Sequence, residues 1–194
     1  MPNDSSTGGY LSPAASPAPL EGQALNRFLQ QVFVGITGFD GTLVRPRWQA
    51  EPPNIPPFGT DWMAFGITRR KGDDFASNVH SPNGNGADSV YRQEILTILC
   101  TFYGPDSDNY ASLLREGFFV PQNREVLLLN SFGLVEVGEA VAVPEMIKDR
   151  WIYRIDMNVR LRRSILRTYP VLNVLSAEGT IDSDPRTIPF SVSE

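Results

Sequence analysis

Residue types able to carry chemistry are few and scattered along this chain of 194 residues. His80 is the only histidine and sits beside Ser81 in a polar stretch. A histidine-based triad or metal site would have to use it, but triads are defined by geometry and roles, and no partners surround it in the sequence. It reads as a surface-loop residue. Cys100, the only cysteine, lies among Leu96, Ile98 and Phe102. A thiol in such an apolar run behaves as a small hydrophobe, whereas a nucleophilic thiolate needs an electropositive, partly exposed site. A lone cysteine also excludes an intramolecular disulfide, which fits synthesis in a reducing compartment. The stretch "NGNGADS" at 83–89 offers Asn83, Asn85 and Asp88 as oxygen donors. It lacks the further carboxylates and closing Glu of a calcium loop, and the glycine spacing and following helix of a dinucleotide loop. A tight turn is the plainer reading. Asp73 and Asp74 are adjacent loop residues with no catalytic role. The expectation is therefore no catalytic residue, no metal, no cofactor and no enzyme.

What remains is a group of arginines on "RWIYRIDMNVRLRR", residues 150–163. Its odd positions, Trp151, Tyr153, Ile155, Met157, Val159 and Leu161, are apolar, and its even positions from Arg154 on are polar. That period of two marks a long β-strand with one side against a core. Arg154, Arg160, Arg162 and Arg163 then lie on or just past the polar face, with Arg167 following. Two readings stand. The face is solvated and balanced by Asp156 and the acidic "VEVGEA" segment, or it meets acidic residues of a subunit or partner. Arginine is favoured over lysine where planar, bidentate pairing matters. Aromatic residues do not interleave with the arginines on the polar face, which argues against a nucleic-acid groove.

Other segments must position this strand. Leu20, Ala24, Leu25, Phe28, Leu29 and Val32 recur at helical spacing and predict a helix over 20–34, closed by the turn "TGFDG". "TLVRPRWQ" reads as extended and "EPPNIPPFGT" as a rigid Pro-rich connector. Strands are expected at 61–70 and from Val90, paired as a hairpin across a long polar loop. Two helices follow, one capped by Asp106 or Ser107 and one, "QNREVLLLNSFG", following Pro121 and ending at Gly133. A strand with a bend, the long strand and an extended tail at 171–181 complete the chain. Strands and helices are segregated, which predicts an α+β fold: an antiparallel or mixed sheet flanked by helices. The expected core is Leu25, Phe28, Leu29, Leu96, Ile98, Phe102, Leu113, Tyr153, Ile155 and Val159. Residues 1–18 read as a flexible Ser/Pro-rich arm that orders only against another chain, and 19–194 as one α+β domain.

Composition agrees with a globular protein: 41% hydrophobic and 20% charged residues, with a net charge of -5. That sign disfavours a protein that grips phosphates. No apolar run approaches the ~20 residues of a membrane helix, and the N-terminus lacks the basic and apolar regions of a secretory signal.

Five stretches together carry a likeness to a known family: "LNRFLQQVFVGITGFDGTLVRPRWQAEPPNIP", "DWMAFGITRR", "EILTILCTFYGPDSDNYASLLREG", "VPEMIKDRWIYRIDMNVRLRR" and "YPVLNVLSAEGTI". The chain resembles the neck terminator (tail terminator) proteins of tailed bacteriophages over residues 20–182. The Pro- and Trp-rich "LVRPRWQAEPPNIP" is the most specific piece, and the N-terminal arm is outside the likeness. The resemblance implies an α+β tail-terminator-like fold and a structural virion protein. It further implies a homo-oligomer, a hexameric ring at the neck, made in the host cytoplasm and carried in the virion. Such a ring ends the tail tube and docks the head–tail connector or stopper protein, with the sheath protein as a further partner if the tail contracts. Genome DNA passes through the lumen without specific binding, and no membrane is involved. No catalytic residues come with the family. Two alternatives are another head–tail connector component, such as a stopper or tube-like protein, and a monomeric phage-encoded protein-binding module.

Overall fold

The computed structural model describes residues 3–15, 18–147, 149–184 and 186–193. The chain divides into two compact units. One comprises Pro19–Ala76 and Arg92–Ile165; the other comprises Met1–Ala18, Ser77–Tyr91 and Leu166–Glu194.

The first unit opens with helix α1, Gly22–Thr37. Its stripe of Leu25, Phe28, Leu29, Val32 and Phe33 is buried, as the helical spacing requires. Gly38 ends it in the left-handed conformation, φ 73°, with its N–H on the Val34 carbonyl. The side chain of Asp40 then accepts from the Thr42 amide and caps a short 3₁₀ turn, Gly41–Leu43. Strand β1, Val44–Pro46, pairs parallel to β2, Trp62–Gly72. The specific "RPRW" string is explained here. The Arg47 amide donates to the Phe65 carbonyl at 2.7 Å, and its guanidinium reaches the Thr101 hydroxyl. Trp48 takes a positive φ of 57° and lays its ring over Gly66, where a methyl would come within 2.6 Å of that ring. Arginine, tryptophan and glycine are thus each used locally, in bonding and packing this segment against β2 and β4.

Beyond β2 come β3, Ser77–Ser81, and β4, Ala87–Tyr103. Helices α2, Ser107–Gly117, and α3, Pro121–Leu129, follow, and then β5, Phe132–Ala142. A small hairpin, β6 (Glu145–Ile147) with β7 (Arg150–Ile152), leads into the long strand β8, Arg154–Tyr169. The sheet order is β1-β2-β4-β8-β5, with β2 antiparallel to β4 and β5 antiparallel to β8. The mixed sheet with its flanking helices is the α+β class that the sequence predicts. Leu96, Ile98, Cys100 and Phe102 of β4 and Ile155, Met157, Val159 and Leu161 of β8 join the stripe of α1 in one core. Phe33 meets Phe65 edge-on at 5.0 Å and Phe118 at 6.4 Å, favoured aromatic geometries.

Two expected core residues lie elsewhere. Leu113 is 40% exposed, because α2 turns Ala111 and Leu114 inward, followed by Phe118 just past its end. Tyr153 is 67% exposed; it precedes β8, and its carbonyl accepts from the Gly104 amide. Two boundaries also differ. α3 stops at Leu129, since Ser131 adopts a φ of 61° and β5 begins at Phe132. Asp106 holds the N-cap position of α2 without a side-chain cap bond, and its amide donates instead to Asp61 Oδ1.

In the second unit, β3 pairs antiparallel with the first residues of β4, turning at 82–86, so the expected long loop is largely a hairpin. The arm's described residues bond to their own chain. Ser5 N donates to the Pro170 carbonyl, Ala14 N to the Thr168 carbonyl, and Leu172 N to Ser5 Oγ at 2.7 Å. Asp4 organises the turn by accepting from the Ser6 amide and hydroxyl. Strands β9, Ser176–Ser183, and β10, Arg186–Ser193, form a separate two-stranded antiparallel hairpin. The Phe190 ring covers Gly179, and Pro189 sits on the opposite face, paired with Thr180.

Candidate functional site

The alternation on β8 holds: Ile155, Met157, Val159, Leu161 and Ile165 are buried and the even positions are not. The four arginines nonetheless have different surroundings. Arg163 falls on the buried register and is 2% exposed. Its Nε donates to Glu94 Oε2 at 2.7 Å, with Nη2 an ion-pair distance of 2.7 Å from the same oxygen; its Nη1 donates to the Leu20 carbonyl at 2.5 Å and its Nη2 to Glu21 Oε1 at 2.7 Å. Glu21 also accepts from Arg70 at 2.8 Å. Partial burial pushes the Glu21 carboxyl up. The bonds and charges of Arg70 and Arg163 outweigh this and hold it below its ordinary value. The Arg163 guanidinium therefore ties β8 and β4 to the entry of α1.

Arg154 makes a bidentate pair with Asp156, at 2.9 and 2.7 Å, and bonds to Glu145. The hydrogen bonds to Asp156 are the main cause holding its pKa above the ordinary arginine value. It also lies 5.8 Å from the Tyr103 ring centroid, a cation–π contact. Arg160 pairs with Glu136 on β5 at 2.7 Å, with both side chains about half exposed. Arg162 is exposed and has no carboxylate partner among the described residues. Arg162 remains without a carboxylate on the polar face among the described residues, Arg160 is bonded to Glu136 through Nη1 alone, and Arg154 and Arg163 have their donors engaged inside the chain.

Beside Arg154 the Pro-rich connector walls an apolar pocket of about 280 Å³ lined by Ile55, Pro57, Phe58, Trp62, Tyr103 and Trp151. Trp62 and Tyr103 stack at 4.3 Å. Arg45 lies over Trp62 at 5.6 Å and Arg150 over Phe58 at 5.2 Å.

In the second unit, His80 Nδ1 lies 2.6 Å from Asp88 Oδ1 and its Nε2 lies 2.8 Å from Asn173 Oδ1. The Asn173 amide nitrogen donates to the carbonyls of Pro82 and Gly84, which fixes its oxygen toward the imidazole. Both ring nitrogens thus face acceptors, an arrangement that only the doubly protonated ring fully satisfies. The bond to Asp88, followed by that to Asn173, holds the His80 pKa above its ordinary value. Asp88 is held below its own by His80 and Asn78. In "NGNGADS", the Asn85 carbonyl accepts from the Asn173 amide and the Asp88 carboxylate is shared by His80 and Asn78. Among the described residues, no group of three His, Cys, Asp or Glu side chains could hold a metal ion. Asp73 exchanges hydrogen bonds with the Gln93 backbone. Cys100 is fully buried, and burial pushes its thiol well above the ordinary cysteine range. Among the described residues no helix is long and apolar enough to cross a membrane.

Sequence reasoning missed two features. Glu94 and Arg163 are far apart along the chain, so nothing local announces their pair. The alternation of Ile188, Phe190 and Val192 did carry a signal for β10, bounded by the turn-forming "DSDP".

A family model described as phage neck terminator protein matches residues 23–184 of the chain. No curated protein matches it.

Proposed function

Because the chain belongs to the phage neck terminator protein family, we propose that it assembles as a hexameric ring that ends the tail tube and joins it to the head connector. A family match over most of the chain carries this reading. The geometry supports it as well. One face of the sheet is committed to the core, and polar and apolar surfaces elsewhere are left open for neighbours. In this reading the partners are further copies of the chain, the tail tube protein, the connector or stopper protein and, in a contractile tail, the sheath protein. Genome DNA passes through the lumen without specific binding, and synthesis takes place in the host cytoplasm. Arg160 and Arg162 contact acidic residues of a neighbouring copy or tail partner; Arg154 and Arg163 shape the strand that presents them.

The test is to image the purified protein alone and with tail tubes, and to measure tails made by a phage lacking it. Rings seated on tube ends, together with unjoined tails of uncontrolled length in the deficient phage, are expected. A persistent monomer that ignores tubes, with normal tails in its absence, would overturn the reading. Charge reversal at Arg160 or Arg162 should weaken assembly more than it lowers monomer stability, and salt should weaken the wild-type contact.

A further inference from the structure

We propose that the apolar face of the β9–β10 hairpin of one copy covers the outer face of α3 of the next copy. This rests on the ring reading above and names the two unlike surfaces that such a ring requires.

The register of the hairpin places Ala177 opposite Val192, Gly179 opposite Phe190 and Ile181 opposite Ile188. Because side chains alternate, these six share one face, while Glu178, Thr180 and Asp182 of β9 point to the other. The apolar face is open: Ile181 is 57% exposed, Ile188 55% and Val192 65%. A lone two-stranded hairpin is marginal in water, and a contiguous apolar face of this kind marks an interaction surface.

The complementary surface is on α3. Its run "VLLL" is apolar on more than one side, although a helix on a single core needs only one stripe. Leu127 supplies that stripe and is fully buried. Leu128 and Leu129 point outward, 67% and 85% exposed, beside the half-exposed Val126. The charges agree with the shapes. Arg186, paired with Ser183, lies on the hairpin's apolar face next to Ile188. Glu125 lies one helical turn before Leu129, on the same side of α3. Neither residue has an ion-pair partner among the described residues. A cation bordering one apolar surface and a carboxylate bordering the other make the two surfaces an oriented match. Each copy carries both, so the contact is heterologous, and repetition closes a ring if the rotation between copies permits.

Cysteine cross-linking tests this directly, since the native Cys100 is buried. A full-length chain carrying Leu129→Cys is mixed with one carrying Ile188→Cys under assembly conditions and oxidised. Disulfide-linked dimers should appear in the mixture and in neither variant alone, and a chain with both substitutions should give a ladder of linked copies. Ile188→Ser should weaken self-association by about tenfold to a hundredfold, the effect of losing one buried aliphatic side chain. Arg186→Glu, which leaves the apolar pairs intact and keeps the test valid if Ile188→Ser does not fold, should also weaken it. Adding Glu125→Arg should restore it. Wild-type rings with no cross-link and no effect of these changes would overturn the hairpin contact and leave the ring standing. Cross-links confined within single chains would show that the hairpin covers its own α3 and would also overturn it. A wild-type protein that never self-associates, even with tail tubes, would overturn the ring as well.

Discussion

Replacing Arg163 with Met keeps the length of the side chain and removes the charge, which isolates what the guanidinium does. The Arg163 side chain is 3% exposed and that of Glu94 6%. Without Arg163, the Glu94 carboxylate stays buried with no cation, and the Leu20 carbonyl loses its donor. Breaking one side of a buried ion pair in this way costs about 3–5 kcal/mol, mainly the penalty of the abandoned charge. With a urea m value of about 2 kcal/mol/M, the unfolding midpoint should fall by roughly 1.5–2.5 M at unchanged m. Adding Glu94→Leu should return most of the loss, because a well-packed apolar pair is often neutral or stabilising relative to a buried ion pair. The cycle of single and double variants then reads the coupling. Arg160→Ala is the contrast. Its pair with Glu136 is about half exposed on each side, so the loss should stay under about 1 kcal/mol. If Arg163→Met costs less than about 1 kcal/mol, or if Glu94→Leu deepens the loss, the buried-charge argument fails.

Leu114→Ala should cost about 2–5 kcal/mol in urea titration and Leu113→Ala well under half of that, since only Leu114 is fully buried; equal losses would mean α2 is rotated. His80 should titrate above its ordinary pKa of 6.5 in an NMR experiment where it gives the only histidine signal. Its folded pKa is raised, so its contribution to stability is complete below the unfolded value and disappears as pH rises through the folded one. Asp88, whose pKa is lowered, contributes above its unfolded value and loses that contribution as pH falls through its folded one. His80→Ala should flatten the upper part of this profile, and a midpoint at or below 6.5 would refute the two-acceptor geometry. In amide exchange, Ser5 and Ala14 should be slower than Gly9 and Leu11, because only the former donate to Pro170 and Thr168; uniform rates across the arm would show those bonds do not persist in solution.

Periodic segments were the legible part of the sequence. The stripe of α1 and the alternation of β8 from Ile155 on need only one buried side and appear where the apolar spacing puts them, whereas Trp151 and Tyr153, placed on the same face by the spacing, are exposed before β8 begins. Leu113 shows the limit: α2 offers adjacent leucines, and which one turns inward depends on its neighbours in space. β3 stayed hidden because it is held by polar partners such as Asn78, His80 and Asp88. For the candidate site, the sequence showed that the arginines lie together on one strand but not their pairing. Arg163 has the same residue type as Arg162 and sits next to it, yet the register puts one inside and one outside. What Arg163 meets comes from Glu94, Glu21 and Leu20, all distant along the chain.

Pro189 has a bearing on how the protein is kept from growing in the wrong direction. Both strands of the C-terminal hairpin have an open edge, and an open edge can template stacking of strands from chain to chain into a fibre. Proline has no amide hydrogen and is tolerated in a strand only where its nitrogen faces away from the neighbour. Paired with Thr180, it therefore leaves a missing donor in the middle of the outer edge of β10. Glu178 and Asp182 add like charges along β9. Pro189→Val would restore that donor, so it should raise strand-edge aggregation of the protein, read as an increase in thioflavin-positive material on concentration.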